Sequence, residues 1–268
     1  MQTVFAPVQH RYRRSHSKGR SKVSLSGLAA LGFTMILGLP GQAIADFVSD
    51  DPLLYREGMA IYTQHCARCH GQKGDGRGPV ADELETRPRD FQHDSFKFRS
   101  TGMGAPPSQK DLLNVIANGI EGSYGEAMPS FSFLTRRQQR AVVEAVRGFA
   151  GLQTLGKRVR PPKPPASFDL ARGEALYRQF QCSDCHGVDG DGKGVLLSEL
   201  QDEDGAPIRA ADFTTGKFKG GNSPKDIWHR IYGGVGGTPM PSFGSSISED
   251  ELWEIVNYVL AFSGKGVR

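Results

Sequence analysis

The sequence predicts an all-α chain of two tandem domains joined by a proline-rich linker, and three observations predict it. The motif Cys-x-x-Cys-His occurs twice, at Cys66, Cys69, His70 and at Cys182, Cys185, His186, and it uses all four cysteines of the 268-residue chain. Further stretches recur after each copy in the same order. Each copy also opens and closes on segments with helical periodicity and helix-capping residues. The resulting division is a leader over residues 1–45, a first domain over 46–152, a linker over 153–166 and a second domain over 167–268.

The repetition is a tandem duplication. Asp90-Phe91 recurs as Asp212-Phe213, and Ser-x-Lys-Asp starts at both Ser108 and Ser223. Met-Pro-Ser-Phe starts at Met128 and Met240, and Thr135 corresponds to Ser248. The offsets between copies are 116 at the cysteines, then 122, 115, 112 and 113, so order is kept while loops change length.

The first helix of each repeat carries a glycine and an aromatic ahead of the cysteines: Gly58 with Tyr62, and Gly173 with Tyr177. An i, i+4 pair lies on one helical face. The glycine lets another helix approach closely and the aromatic fills the space beside it. Cys66 follows Tyr62 by four residues, whereas Cys182 follows Tyr177 by five. A middle helix starts at Ser108 and at Ser223, each an N-cap with an acid three residues on, and Pro224 takes the favoured first-turn position. Gly119 and Gly234 are the matching stop signals. The closing helices start on the capping patterns Thr135 with Gln138 and Ser248 with Glu251. Val142, Val143, Val146 and Phe149 form one apolar face. Leu252, Ile255, Val256, Val259 and Phe262 form the other, flanked by Trp253 and Tyr258. Both faces are expected to pack on the glycine–aromatic helix of their own repeat. Between the repeats, Pro161, Pro162, Pro164 and Pro165 mark a semi-rigid spacer of polyproline type.

Cys-x-x-Cys-His is the pattern of covalent c-type haem attachment. Two thiols three residues apart on a helical turn each add to one vinyl group, and the next histidine lies beneath the iron. A redox dithiol or half a zinc site would use the same cysteine spacing. Both copies carry the histidine, and no further thiolates remain for zinc. Two covalently bound haems c are therefore expected, held by Cys66, Cys69, Cys182 and Cys185, with His70 and His186 on the irons.

The sixth iron ligand decides much of the chemistry, because methionine raises the potential and blocks the iron whereas an open site admits substrates. Met128 and Met240 are the methionines that recur, both before Pro-Ser-Phe. Met103 and the unrepeated His93 and His229 are the alternatives. Arg87, Arg89 and Arg209 precede the Asp-Phe pairs and are candidates to meet haem propionates or to lie solvated in loops. The glycine-rich tails after each histidine lack the later acids of a calcium loop and read as turns.

The net charge of +4 is carried by the leader, whose six basic residues face no acid; the remainder holds 27 basic and 29 acidic residues. Nothing in this balance argues for nucleic acid. A basic stretch, the apolar run over residues 25–39 and the small-x-small site Ala43-Ile44-Ala45 read as a signal peptide cleaved after Ala45. The alternative is an uncleaved anchor, although the run falls short of the roughly 20 residues that span a bilayer. Residues 167–268 carry 10 basic and 15 acidic residues, including Asp202, Glu203, Asp204 and Glu249, Asp250, Glu251. Such acids are candidates to steer a basic partner, an effect on encounter rate that weakens with salt.

With these motifs in order, each repeat resembles a class I cytochrome c domain. The whole, over residues 52–263, resembles di-haem periplasmic carriers made of two such domains fused. The resemblance implies His70/Met128 and His186/Met240 ligation and outer-sphere electron transfer. It also implies redox protein partners as donor and acceptor, a periplasmic location, and membrane contact only through partner proteins. The chain departs from the family in its long segments between cysteine and methionine, 62 residues from Cys66 to Met128 and 58 from Cys182 to Met240. Two other functions compete: a cytochrome subunit docked on a dehydrogenase or reductase, and a di-haem enzyme. Thiosulfate dehydrogenases of this kind use a distal cysteine, and none is spare here. A peroxidase needs a haem that loses its sixth ligand, against which two matched methionines argue. If the leader reading holds, terminal sequencing of periplasmic material starts at Asp46; an intact apolar run recovered with membranes would refute it.

Overall fold

A computed structural model describes residues 47, 49–93 and 95–266. The leader, its cleavage after Ala45 and the new terminus at Asp46 lie outside the described residues. The first repeat contains α1 (Pro52–His65), the short α2 (Ala67–His70), α3 (Gln109–Asn118) and α4 (Arg136–Phe149). The second contains α5 (Leu170–Gln179), α6 (Cys182–His186), α7 (Pro224–Gly233) and α8 (Glu249–Ala261). Among the described residues the architecture is all-α apart from one small antiparallel hairpin, β1 (Ile120–Gly122) with β2 (Gly125–Met128). That hairpin occupies a stretch where the first repeat is longer. Gly119 to Met128 spans nine residues, against six from Gly234 to Met240.

Local chemistry fixes the helix starts. Ser108, Thr135, Ser223 and Ser248 each close a reciprocal capping box with Asp111, Gln138, Asp226 and Glu251. Each box satisfies two backbone donors that the first turn cannot pair internally. Asp51 and Asp169 cap α1 and α5.

The closing helix packs on the opening helix in each repeat, α4 on α1 and α8 on α5. Gly58 lies so close to α4 that a Cβ there would overlap the Ala141 carbonyl. At Gly173 a Cβ would come within 2.9 Å of the Glu254 carbonyl and of Tyr258 Cβ. The predicted faces are buried at Val142, Val143, Val146, Leu252, Ile255, Val256 and Val259, while Phe149 and Phe262 at the helix ends are half-buried. Each repeat has its own core. The first is aliphatic, built on Leu54, Ile61, Leu112, Ile116 and the valines of α4. The second is aromatic, and Trp253, expected as a flank, is 1% exposed within it beside Trp228. The reason is that α8 is covered by α7 as well as α5. The linker is more than a spacer. Gly156 N–H donates to Pro107 O (2.9 Å) and Val159 N–H to Ser100 O (2.8 Å), so it runs docked along the first repeat.

Overpacking a tight helix crossing typically costs about 1–3 kcal/mol. Gly58→Ala should therefore lower the thermal midpoint of the holoprotein by several degrees, and Gly173→Ala by less. Equal, negligible shifts for both would contradict the close-approach reading.

Candidate functional site

Each cysteine motif is a single helical turn hinged on the end of the opening helix. Cys66 N–H donates to Tyr62 O (2.8 Å), ending α1, and Cys66 O accepts from His70 N–H (2.9 Å) in the next turn. In the second repeat the additional residue before Cys182 is absorbed at Gln181, whose φ of 59° is left-handed. That conformation costs an ordinary residue roughly 1–2 kcal/mol. After it, α6 repeats the turn of α2: Gly187 N–H donates to Ser183 O as Gly71 N–H donates to Ala67 O. The glycine tails then fold back over the turns. Gly76 N–H donates to His70 O and Gly192 N–H to His186 O, both at 2.9 Å. Gly71 and Gly187 adopt φ of 77° and 80° directly after the histidines, where a side chain would be strained. Their carbonyls accept the hydroxyls of Tyr62 and Tyr177, each at 2.8 Å. The helix aromatic thus fastens the turn that follows the histidine, beyond filling space. Burial, the main cause, raises the pKa of both phenols well above the usual tyrosine range, so both stay protonated donors.

The histidines are held alike. His70 Nδ1 lies 3.0 Å from Arg89 O, and His186 Nδ1 lies 3.2 Å from Ala211 O. A carbonyl can only accept, so Nδ1 carries the proton and Nε2 keeps its lone pair for a metal. Burial lowers both imidazole pKa values, although the carbonyl bond opposes it, which favours the neutral ligating form. Phe91 stacks on His70 with ring centroids 4.7 Å apart, and Phe213 on His186 at 4.4 Å. The backbone N–H of each phenylalanine donates to a tail glycine, Gly74 O or Gly190 O, at 2.7 Å. This accounts for the recurring Asp-Phe pairs. Two residues before each phenylalanine lies the carbonyl that holds the imidazole.

The four cysteines are free and half-buried. Burial pushes the Cys66 and Cys182 thiols up to about 11, opposite to the lowered thiol of a redox dithiol. Among the described residues no three His, Cys, Asp or Glu side chains converge as a metal-ion site. Free paired thiols beside an imidazole with Nε2 available fit a haem c. A haem also brings two carboxylates. Buried and without hydrogen-bond partners are Arg99 Nε, Arg230 Nε and Nη1, and both ring nitrogens of His229. With Arg158 they line a cavity of about 210 Å³ between α3 and α7. Such donors fit carboxylates. Arg87 pairs with Asp204 and Arg89 with Glu203, both at 2.8 Å, and Arg209 lies over the Tyr124 ring.

Met128 ends β2 and Met240 packs half-buried against the second core. The residues after them are tied to the middle helices. Phe131 N–H donates to Ile116 O and Phe243 N–H to Ile231 O, each at 3.0 Å. Ser130 Oγ donates to Ala117 O (2.7 Å) and Ser242 Oγ to Tyr232 O (2.6 Å). A Cβ at Gly119 would overlap the Met128 carbonyl. The Met-Pro segment is therefore seated on the end of the middle helix in both repeats. Of the alternatives, Met103 is 69% exposed and His93 lies at the surface beside Asp90. Burial, aided by Arg158, lowers the pKa of His229 to about 4.

Two helical units with this doubled cradle define a c-type cytochrome. Residues 54–144 and 168–259 both match the family model for cytochrome c oxidase, cbb3-type, subunit III, and the chain belongs to that family, with two cytochrome c domains in tandem. Such domains carry covalently bound haem c. A chain of the Kuenenia stuttgartiensis reducing HAO-like protein complex Kustc0457/Kustc0458 is 37% identical, with a TM-score of 0.71 over 77% of this chain and 95% of that one. The thiosulfate dehydrogenase TsdBA of Marichromatium purpuratum, in its as-isolated form, is 18% identical over 81% of this chain and 48% of that one. Its TM-score is 0.28. No curated protein matches the sequence.

A buried acceptor stripped of its donor costs about 1–3 kcal/mol. Tyr62→Phe and Tyr177→Phe should each lower holoprotein stability by that amount in denaturant unfolding, by orphaning the Gly71 or Gly187 carbonyl. No loss in either would show that solvent replaces the hydroxyl.

Proposed function

We propose that the chain is exported to the periplasm, carries two haems c, and passes electrons one at a time between redox protein partners. The observation that carries this reading is the duplication of the whole histidine cradle: tyrosine, glycine tail, carbonyl and stacked phenylalanine. Cys66 with Cys69 and Cys182 with Cys185 would hold the haems. His70 and His186 would present Nε2 to the irons, and Met128 and Met240 would complete them. Arg99 and Arg230 are the donors best suited to haem carboxylates. Haem iron, when bound, supplies a one-electron ferrous–ferric couple. The chain's residues keep each imidazole in one tautomer and one orientation, so that little rearranges when charge changes. Two methionines closing the irons favour conduction over substrate chemistry.

A docked role, as a subunit of a larger oxidoreductase, is favoured by the relative from the Kuenenia complex, which this chain matches over 95% of its length. The acids considered for steering also fit a smaller part. Glu203 and Asp204 are engaged by the first repeat, and Glu251 caps α8. Steering by the remaining charge would be modest.

The oxidised protein should show the weak near-infrared sulfur-to-iron band, with Met128→Ala and Met240→Ala each removing about half. A full band in Met128→Ala would move the assignment to Met103. Affinity purification of the native protein should recover a redox enzyme. Turnover of thiosulfate or peroxide by the isolated protein at about 1–10³ per second, an enzyme's rate, would overturn the conduit reading.

A further inference from the structure

The duplication is not uniform, and two of its departures fall where the repeats touch. Leu84 to Asp90 spans six residues in the first repeat, but Leu200 to Asp212 spans 12 in the second. The longer second-repeat segment carries Glu203. Conversely, the first repeat has three more residues between its middle helix and its methionine, and they form the hairpin turn carrying Ser123 and Tyr124.

Each added segment reaches the carbonyl stretch that holds the other repeat's histidine. Tyr124 donates its hydroxyl to Ala210 O (3.0 Å). Ser123 Oγ donates to Asp212 O (2.9 Å) and accepts from Asp212 N–H (3.1 Å). These contacts bracket Ala211, whose carbonyl holds His186. Lys217 pairs with Glu121 across the same junction at 2.6 Å. In the opposite direction, Glu203 accepts from the Arg89 guanidinium (2.8 Å) and from Ser95 N–H (3.0 Å). Its own N–H donates to Gly237 O (3.1 Å) in the loop before Met240. Arg89 is the residue whose carbonyl holds His70.

The geometry points to reciprocal positioning: Ser123 and Tyr124 of the first repeat orient His186 of the second, and Glu203 of the second orients His70 of the first. The inference rests on the reading of both histidines as iron ligands. A hydrogen bond from Nδ1–H to a fixed acceptor raises the basicity of a ligating imidazole and stabilises the more oxidised metal. Loosening the acceptor therefore raises the potential. Each haem's potential is thus set partly by residues of the opposite repeat.

The test uses the full-length holoprotein, with potentiometric titration of both haems and paramagnetic NMR of the oxidised state. Contacts to Phe91 or Phe213 assign each haem to its repeat. Ser123→Ala with Tyr124→Phe should raise the potential of the His186 haem and shift its Nδ1–H resonance, leaving the His70 haem unchanged. Ser123→Thr, which keeps the hydroxyl, should restore most of the change when combined with native Tyr124. Glu203→Gln should do the converse, moving the His70 haem. Asp204→Asn removes the same charge one residue away and should leave the His70 Nδ1–H resonance in place. Effects confined to the haem of the mutated repeat, or equal effects of Glu203→Gln and Asp204→Asn, would overturn reciprocal positioning. If the unsubstituted protein shows no shifted imidazole resonances, the ligand reading itself fails, and the inference with it.

Discussion

A buried imidazole has two nitrogens and one proton, and the whole architecture answers to where that proton sits. The carbonyls of Arg89 and Ala211 fix it on Nδ1. Carbonyl and stacking ring come from the same three-residue stretch, so tautomer and ring plane are set by one device. That stretch is in turn hydrogen-bonded to Gly74 or Gly190. Those glycines lie against Phe149 and Phe262 at the ends of the closing helices. The chain of dependence runs from helix crossing to glycine tail to carbonyl to imidazole. A slack crossing between α1 and α4 would be felt at His70.

The fold was legible because its signals are local. A capping box is two residues three apart, a helical face is a period, and Cys-x-x-Cys-His is five consecutive residues. What escaped were acceptors that carry no residue code. Asp90-Phe91 and Asp212-Phe213 were recognisable as recurrent, and the arginines beside them drew attention. Yet the working atom at Arg89 is its backbone carbonyl, and Ala211 offers the same atom without any charge. The hairpin was visible only as the drop in repeat offset from 115 to 112, a number that reports extra length without its shape. Arg99 and Arg230 gave no signal, since their burial arises only when α3 and α7 face each other.

The two copies solve one packing problem with different materials. Ala141, opposite Gly58, corresponds to Glu254, opposite Gly173. The first repeat brings its helices close and fills the core with valines. The second accepts a bulkier crossing residue, uses Glu254 to receive the Asp169 N–H (3.0 Å), and packs two indoles alongside. Aromatic side chains bury large areas each, so a wider gap can be closed with fewer residues. The cradle around the histidine stays the same in both, which separates what the site demands from what the core merely has to fill.

The docked linker has a consequence for how the halves are related as a polymer. A free tether of proline type would set an effective concentration for two independent modules, tunable by its length. Here Gly156 and Val159 are hydrogen-bonded to the first repeat while Val159 also packs on the second core. Over this stretch the connection is therefore packed structure and not a free tether. Adding or removing residues between Gly156 and Val159 to respace the two modules would disturb this docked backbone. Any such change would first have had to peel the segment from Ser100 and Pro107.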